Sequence, residues 1–337
     1  MKGRRDFLKY LSGITAGIML PSSTFSNPFS EARDRLGPLL PKRKLGKTGV
    51  DVTMLGVGGY HIGWTTEKDA QETIEAALEG GVRFFDTAES YGPHTGENRY
   101  GKYLTPKYRD LIFLMTKTYS KDAATAEKHL EGSLKRMKTD YLDLWQVHSV
   151  GDPADVDERI ENGVFEIMMK AKESGKVKHI GFTGHQSPAA NLRVLDQTKT
   201  TKIFETVQMP INVLDAGLDH FIKRVIPVAL DHNMGLIAMK TMSDGRFFPK
   251  KIMNGKTEWT TKNPVIPDRI SVKEALYFVW SLPVSVLVTG AENAVMMREK
   301  IDLAKNFNKM TPQQRDVLIG KVIDLAREGK TEVYKKV

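Results

Sequence analysis

Between Leu111 and His148 the chain reads LIFLMTKTYSKDAATAEKHLEGSLKRMKTDYLDLWQVH, which contains the clearest strand–helix–strand pattern in the sequence. Two apolar runs flank a segment in which Leu130, Leu134 and Met137 recur at i, i+4 and i+7, the spacing of one buried helical stripe. A strand, a helix and a second strand in this order predict two parallel strands, because a helical crossover returns the chain to the same end of the sheet.

The same alternation continues outward in both directions until it makes eight units. The apolar runs predict strands at Met54–Gly58, Arg83–Thr87, Leu111–Lys117, Tyr141–His148, His179–Thr183, Thr206–Met209, Gly235–Lys240 and Val284–Val288. Helical spacing follows them at Lys68–Leu78, Glu97–Leu104, Ala123–Met137, Gly163–Glu173, Ala189–Gln197, Leu218–His232, Ser271–Ser281 and Val295–Phe307. Eight such units in about 250 residues predict an α/β protein with a closed (β/α)8 TIM barrel.

Two additions to the barrel are expected. Arg43–Thr53 predicts an N-terminal β-hairpin, and Thr311–Glu328 predicts one extra C-terminal helix that starts at Thr311-Pro312. A doubly wound sheet is the structural alternative. It would need a G-x-G-x-x-G turn after the first strand, and Gly56-Val-Gly58-Gly59 lacks that spacing.

The first 35 residues have the features of an export signal. A basic start is followed by an apolar run of 11 residues, Tyr10–Leu20, which is too short to span a bilayer as a helix. Arg4-Arg5 followed by DFLK resembles a twin-arginine signal. We therefore expect residues 1–35 to be a signal peptide and linker, and residues 36–337 to be the barrel domain. The expected partner is the twin-arginine export machinery, and the expected location is periplasmic or otherwise exported, with no stable membrane span after processing. A chance arginine pair, or retention as an N-terminal anchor, is the alternative.

Composition excludes several classes of site. There are no cysteines, which excludes disulfides, thiolate nucleophiles and iron–sulfur clusters, and the 8 histidines form no H-x-H or HExxH spacing, so no metal is expected. The net charge of +9 is spread along the chain without a basic block, so no nucleic-acid partner is expected. A small-molecule substrate, anionic or not, and a phosphate-bearing cofactor remain open.

Titratable residues follow three successive predicted strands, where the active sites of such barrels lie. Asp86 and Tyr91 follow the second strand, Lys117 ends the third and His148 ends the fourth. An ammonium beside a phenol lowers the phenol pKa, a carboxylate pairs with the ammonium, and an imidazole can hydrogen-bond a carbonyl oxygen. These groups together indicate proton transfer to a carbonyl during hydride transfer from a cofactor. Taken singly, Asp86 is more typical of a helix N-cap and Tyr91 of a half-buried rim residue, and His148 is also compatible with a core histidine.

The stretch Gly81–Gly92 (GVRFFDTAESYG), with Lys117 and His148 behind it, closely resembles the aldo-keto reductase superfamily. The resemblance runs from about Arg43 to Phe307. It implies that Tyr91 is the general acid/base, that Lys117 lowers its pKa, that Asp86 orients Lys117, and that His148 positions the substrate carbonyl. It also implies a nicotinamide cofactor, NADP(H) in most of the family, with NAD(H) as the rival.

The predicted cofactor contacts match the family unevenly. The family usually has Ser-Asn after the fifth strand to hold the carboxamide, and this chain has Thr183-Gly184-His185. The aromatic residue that usually stacks on the nicotinamide is a methionine here, and Glu292 stands where a basic residue often holds the 2′-phosphate. The predicted contacts are Gly59, Thr183, Gln208, Met239, Lys240, Gly290, Glu292 and Arg298.

The predicted substrate pocket is formed by Tyr60, His61 and Trp64, with the polar loop Ser243–Asp268 as a further wall. The expected activity is an NAD(P)-dependent oxidoreductase that interconverts a carbonyl (aldehyde, ketone or sugar) and an alcohol. Two alternatives remain: a nicotinamide-binding regulatory barrel with little turnover, and a metal-dependent hydrolase on the same barrel. The first has no need of all four catalytic groups, and the second needs more histidine or aspartate ligands at strand ends than the chain offers.

Overall fold

The structure is a computed structural model, and it describes residues 32–218, 220–253, 256–328 and 331–335. The predicted twin-arginine motif at Arg4-Arg5 lies outside the described residues, as does nearly all of the predicted signal. Within the described part of the chain, no helix has both the length and the apolar character to cross a bilayer.

Two antiparallel hairpins precede the barrel: β1 (Arg33–Asp34) with β2 (Gly37–Pro38), and β3 (Lys42–Lys44) with β4 (Asp51–Thr53). The second is the predicted N-terminal hairpin. Its Leu45 and Val52 are buried and join the apolar cluster inside the barrel. In the first, Asp34 accepts two hydrogen bonds from the Arg83 guanidinium at 2.7 and 2.9 Å, so the folded unit extends slightly upstream of residue 36.

Eight parallel strands form a closed barrel, which confirms the predicted fold. The remaining strands in chain order are β5 (Leu55–Gly58), β6 (Phe84–Asp86), β7 (Phe113–Thr118), β8 (Leu142–Val150), β9 (Val177–Gly184), β10 (Thr206–Pro210), β11 (Gly235–Met239), the outlying antiparallel pair β12 (Lys250–Met253) and β13 (Lys256–Thr260), and β14 (Val286–Thr289). The barrel runs from β5 to β11 in order, and β14 closes it by pairing with both β11 and β5.

The interior of the barrel is filled with side chains. The rings of Phe84 and Phe113 stack with their centroids 5.0 Å apart, and Leu144 and Ile237 belong to the same cluster. Because side chains alternate along a strand, each residue two positions further on also faces inward. Apolar side chains therefore fill the interior of the barrel. The polar residues of the site face inward at the carboxyl ends of the strands.

The helices in chain order are α1 (Gly59–Trp64), α2 (Glu67–Glu79), α3 (Thr95–Tyr103), α4 (Thr105–Tyr108), α5 (Ala123–Met137), α6 (Pro153–Glu161), α7 (Val164–Glu173), α8 (Pro188–Gln197), α9 (Ile226–Asp231), α10 (Val272–Trp280), α11 (Ala294–Lys305) and α12 (Pro312–Arg327). The predicted stripe Leu130, Leu134 and Met137 of α5 is buried. The extra helix α12 begins at Thr311 with a capping box that Gln314 completes.

Two segments differ from the sequence expectation. The predicted helix Leu218–His232 is, over its described part, a π-helical turn at Phe221–Val225 followed by the short α9. Pro227 explains the break, because proline has no backbone N–H and its ring crowds the carbonyl four residues earlier. The loop expected at Ser243–Asp268 contains the hairpin of β12 and β13.

Candidate active site

A buried ion pair forms the base of the site. Asp86 ends β6 and Lys117 lies on the neighbouring strand β7, where the pleat turns it inward. The Lys117 ammonium donates to the Asp86 carboxylate and, at 2.7 Å, to the carbonyl oxygen of Thr87. Both side chains are almost completely buried. Burial raises the pKa of Asp86, and the adjacent ammonium opposes that rise.

Tyr91 lies in the loop after β6, above this ion pair. Its ring centroid is 5.1 Å from the Lys117 ammonium nitrogen and 5.8 Å from the centroid of the His148 ring, which it meets edge-on at 81°. Tyr60 of α1 contacts it from another side, at 5.5 Å and 80°. The structure therefore brings together the four residues that the sequence predicted as a catalytic group.

The direction of the Tyr91 pKa shift differs from the sequence expectation. Lys117 was expected to lower the phenol pKa, yet the pKa of Tyr91 lies well above its ordinary value of 10 because of burial, with the carboxylates of Asp86 and Glu89 acting in the same direction. The Lys117 ammonium is paired with Asp86, and the net shift of the Tyr91 pKa is upward. Tyr91 is consequently a neutral phenol at neutral pH.

Two imidazoles lie side by side at the ends of β8 and β9, the buried His148 and the half-buried His185. The ring centroids of His148 and His185 are 5.3 Å apart. The pKa of His148 lies well below 6.5, mainly because of burial and then because of the neighbouring His185 ring and Lys117 ammonium. The pKa of His185 is lowered in the same way, by burial and then by Lys240 and Lys117. Both rings are therefore neutral at neutral pH, and each carries one N–H.

The predicted cofactor residues near the reacting group share one rim of the barrel. Thr183 on β9 and Gln208 on β10 are register partners, and Met239 ends β11 inside the barrel. The Thr183 hydroxyl accepts from the Ser149 backbone N–H at 2.8 Å, and Gln208 Oε1 is buried without a partner among the described residues. Gly59 is required by a close approach, since a Cβ there would overlap the Asp86 carbonyl.

The loops after β10 and β11 are joined by the chain's C-terminal segment, which sequence reasoning missed. Glu332 accepts from the Asn212 side-chain amide at 2.6 Å, and Lys335 donates to Asp215 at 2.6 Å. The Lys240 ammonium lies 4.6 Å from the centroid of the Tyr334 ring. Pairs separated by 120 residues have no local sequence signal, so only the folded chain reveals this contact.

The predicted cofactor contacts near the loop after β14 do not lie together. Arg298 of α11 lies 3.6 Å from Glu79 of α2, at the surface, whereas Glu292 is exposed in the loop itself. Sequence reasoning missed Lys300, which is buried beneath the loop and donates to the Gly290 carbonyl. Burial lowers the pKa of Lys300 to about 8.

The residues predicted to form the substrate pocket lie in two different places. Tyr60 and Trp64 lie together at the mouth, 6.1 Å between ring centroids, and Trp64 is 42% exposed. His61 packs against the loop after β14: its ring lies where a Cβ on Gly290 would be, and burial lowers its pKa to about 4. Tyr119, 52% exposed and 5.8 Å from the His148 ring, is a further wall that sequence reasoning missed.

Charged residues of the segment 243–268, which contains β12 and β13, lie close enough to Tyr60 to influence its pKa. The Lys251 ammonium pairs with Asp244 at 2.9 Å and with Glu258 at 3.5 Å. Burial raises the pKa of Tyr60, and the charges of these three residues make smaller contributions to it. Across the described ranges, no group of three or more histidine or acidic side chains is arranged to hold a metal ion.

Curated relatives align with parts or most of the chain. The aldo-keto reductase YhdN of Bacillus subtilis is 29% identical over 215 residues, which are 59% of this chain and 61% of that protein. The uncharacterized oxidoreductase YqkF of the same organism is 24% identical over 324 residues, 87% of this chain and 98% of that protein. The 6-dehydroglucose reductase of Novosphingobium aromaticivorans is 32% identical over 186 residues, 49% of this chain and 60% of that protein.

Solved structures share the fold. The holo form of the aldo-keto reductase AKR11C1 from Bacillus halodurans superposes with a TM-score of 0.69 over 84% of this chain and 96% of that chain, at 20% identity. The family model described as the Aldo/keto reductase family matches residues 54–315, from the start of the barrel into α12. The chain therefore belongs to the aldo/keto reductase family of oxidoreductases.

Proposed function

We propose that the chain interconverts a carbonyl and an alcohol with a nicotinamide cofactor, and that Tyr91 is its general acid/base. Tyr91 donates its hydroxyl proton to the carbonyl oxygen in reduction and takes it back in oxidation. The neutral His148 donates an N–H to the same oxygen and so orients it. Lys117, 5.1 Å from the Tyr91 ring, stabilises the phenolate that remains, and Asp86 holds Lys117 in place.

One observation supports this proposal most directly: the phenol and the imidazole meet edge-on in a buried site whose surroundings keep both neutral. A proton is therefore present on Tyr91 at neutral pH. A charged His148 imidazolium would compete with Tyr91 as the proton donor to the substrate oxygen. Burial keeps His148 neutral and so prevents this competition. The substrate class is an aldehyde, ketone or sugar small enough to reach Tyr91 between Tyr60, Trp64 and Tyr119.

The residues at the rim fit a nicotinamide. Gln208 Oε1 is a buried acceptor without a partner in the described chain, which suits an amide N–H, and Met239 supplies a soft apolar surface for a ring. When bound, the nicotinamide gives a hydride to the substrate carbon or takes one from it. We propose NADP(H), as in most of the family. NAD(H) is favoured by the exposed carboxylate of Glu292 and by the pairing of Arg298 with Glu79 at the surface. Titration with both cofactors distinguishes the two.

The central test is Tyr91→Phe, with Tyr103→Phe as a matched control that removes a phenol bonded to Glu67 away from the site. The Tyr91 variant should lose at least about 100-fold in kcat, the lower end of general acid catalysis, with cofactor affinity nearly unchanged. Steady-state rates and a fluorescence titration on the same preparations measure both. A Tyr91 variant that keeps more than about a tenth of the wild-type kcat would point instead to the regulatory barrel with little turnover.

We further propose that residues 1–35 direct export through the twin-arginine route. The support is the arginine pair, DFLK and the apolar run in register. Replacing Arg4 and Arg5 together by lysine should leave the precursor inside the cell, while a lysine substitution at Arg33 should not. Fractionation and immunoblotting measure the distribution, and normal exported yield from the double variant would refute the proposal.

A further inference from the structure

The loop after β11 has an unusual backbone. Three of its residues that are not glycine, Lys240, Ser243 and Asp244, have φ angles of 52°, 48° and 56°, in the left-handed region. Side chains are disfavoured there, and such residues persist where the surrounding structure holds them in place. Some of the contacts that hold this loop come from the C-terminal segment, residues 331–335, which is far from it in the sequence.

The C-terminal segment reaches the backbone of this loop in two ways. The Ser243 hydroxyl donates to the Thr331 carbonyl at 3.2 Å. The Asn212 side-chain amide donates both to Glu332 at 2.6 Å and to the Lys240 carbonyl at 3.4 Å, so it connects the two. Asn212 is completely buried, and its own oxygen accepts two backbone N–H groups of the loop after β10. The conformation at Lys240 therefore depends on Glu332 through a buried amide.

A buried ion pair anchors the C-terminal segment itself. The Lys335 ammonium donates to Asp215 at 2.6 Å and to Glu332 at 2.8 Å. These three side chains are at most 5% exposed. Asp215 also accepts from the Ile222 backbone N–H at 2.7 Å. Because separating this pair would leave a buried carboxylate without its cation, the segment stays on the loop after β10.

The ring of Tyr334 holds the other end of Lys240. Its centroid lies 4.6 Å from the Lys240 ammonium nitrogen, and its hydroxyl donates to Glu332 at 2.7 Å. A ring face stabilises a cation without neutralising it, so this half-buried ammonium can still bind an anion. Burial, and after it the Lys240 charge, lowers the pKa of His185, so the ammonium lies close to this imidazole of the site.

We propose that Glu332 and Tyr334 are positioning residues, which hold Lys240 where its ammonium meets an anionic phosphate of the bound dinucleotide. The inference rests on the proposed function, in which Lys240 is a predicted cofactor contact. Glu332 acts on the Lys240 backbone through Asn212, and Tyr334 acts on the ammonium through its ring. Neither residue needs to touch the dinucleotide, so their effect on its binding passes through Lys240.

The first experiment measures binding of the preferred reduced cofactor, NADPH or NADH, by fluorescence titration. Lys240→Met should weaken binding by about tenfold, which corresponds to one charge-assisted hydrogen bond. Tyr334→Leu and Glu332→Leu should each weaken it by about fivefold, because the ammonium is retained but no longer held in place. Tyr334→Phe keeps the ring beside Lys240 and should bind within about twofold of wild type.

The second experiment combines the substitutions. If Tyr334 acts through Lys240, the double variant Lys240→Met/Tyr334→Leu should bind the cofactor within about twofold of Lys240→Met alone. Lys240→Met/Glu332→Leu should behave in the same way. Two independent effects would instead multiply and give a loss of about fiftyfold.

Tyr141→Leu is the matched control. Tyr141 directly precedes β8, at the end of the barrel opposite the mouth, and its ring centroid lies 4.2 Å from the Lys178 ammonium nitrogen. This variant loses the same kind of contact and should bind the cofactor within about twofold of wild type. Melting temperatures show whether each variant is folded. If Tyr334→Leu does not fold, Glu332→Leu and its double variant carry the test.

The outcomes are distinct. Unchanged cofactor affinity in Tyr334→Leu and Glu332→Leu overturns the inference even where their melting temperatures fall, because the contacts are then structural only. Unchanged affinity in Lys240→Met, or losses that multiply in the double variants, overturn it as well. All of these leave the proposed function standing, provided that the wild type binds and turns over the cofactor. If the wild-type protein binds neither NADPH nor NADH, the proposed function fails, and the inference fails with it.

Discussion

Replacing Lys300 by methionine should stabilise the protein at neutral pH. The Lys300 ammonium is buried, and burial lowers its pKa from the ordinary 10.5 to about 8. The interval between these values corresponds to about 3 kcal/mol of unfolding free energy that the folded state loses by keeping the ammonium charged. The methionine removes that cost and also removes the hydrogen bond to the Gly290 carbonyl, which contributes about 1 kcal/mol. A net gain of about 2 kcal/mol is expected at pH 7.

The stability difference between Lys300→Met and the wild type should decrease as the pH rises. Below pH 8 both folded and unfolded states hold the proton, so the cost is complete. Between pH 8 and 10.5 only the unfolded state binds it, so wild-type stability rises with pH relative to the variant and the advantage of the methionine disappears.

Urea unfolding at pH 7, 8.5 and 10 measures the difference between the two proteins. Lys305→Met, an exposed lysine on the same helix, is the control and should change stability by less than about 0.5 kcal/mol. A Lys300→Met protein that is less stable than wild type at pH 7, or a difference that does not vary with pH, would refute the reasoning.

Two further predictions concern the site. The pKa of Tyr91 is well above 10 and that of His148 is well below 6.5. The rate of carbonyl reduction in single-turnover measurements should therefore vary by less than about threefold between pH 7 and 9. A decline in this rate with a midpoint near pH 8 would show that another group is the acid. Glu292→Lys should raise the affinity for NADPH relative to NADH, since a cation replaces an exposed anion in the loop after β14; an unchanged ratio of the two dissociation constants would mean that Glu292 does not face the ribose.

The barrel could be predicted because parallel strands are buried on both faces and therefore appear as short continuous apolar runs. Phe113–Thr118 and Leu142–Val150 lie within two residues of the predicted runs. Because the carboxyl ends of the strands meet at one mouth, the titratable residues at these ends could be placed together without knowing any contact.

Side-chain direction in irregular segments could not be predicted. His61 belongs to a short helix without a clear apolar period, and only the folded chain shows that its ring fills the space beside Gly290. The contact of the Asn191 side chain of α8 with Gly184 of β9 could not be predicted, because it exists only once the helix packs on the strand. The pKa of Tyr91 depends on burial and on the pairing of Lys117 with Asp86, and both are properties of the assembled site.

The electrostatics of the site bear on the direction of the reaction. Reduction needs a proton on the phenol at the start, and oxidation needs the phenolate. Burial and the charges of Asp86 and Glu89 both favour the phenol, while Lys117, the cation nearest the ring, is already paired. At neutral pH the protein therefore starts in the state that reduction uses, and oxidation must first remove a proton from a group whose pKa is well above 10. We accordingly expect reduction to be the faster direction at pH 7, and we expect oxidation to accelerate as the pH rises, by up to tenfold per unit while the phenolate is the minor form.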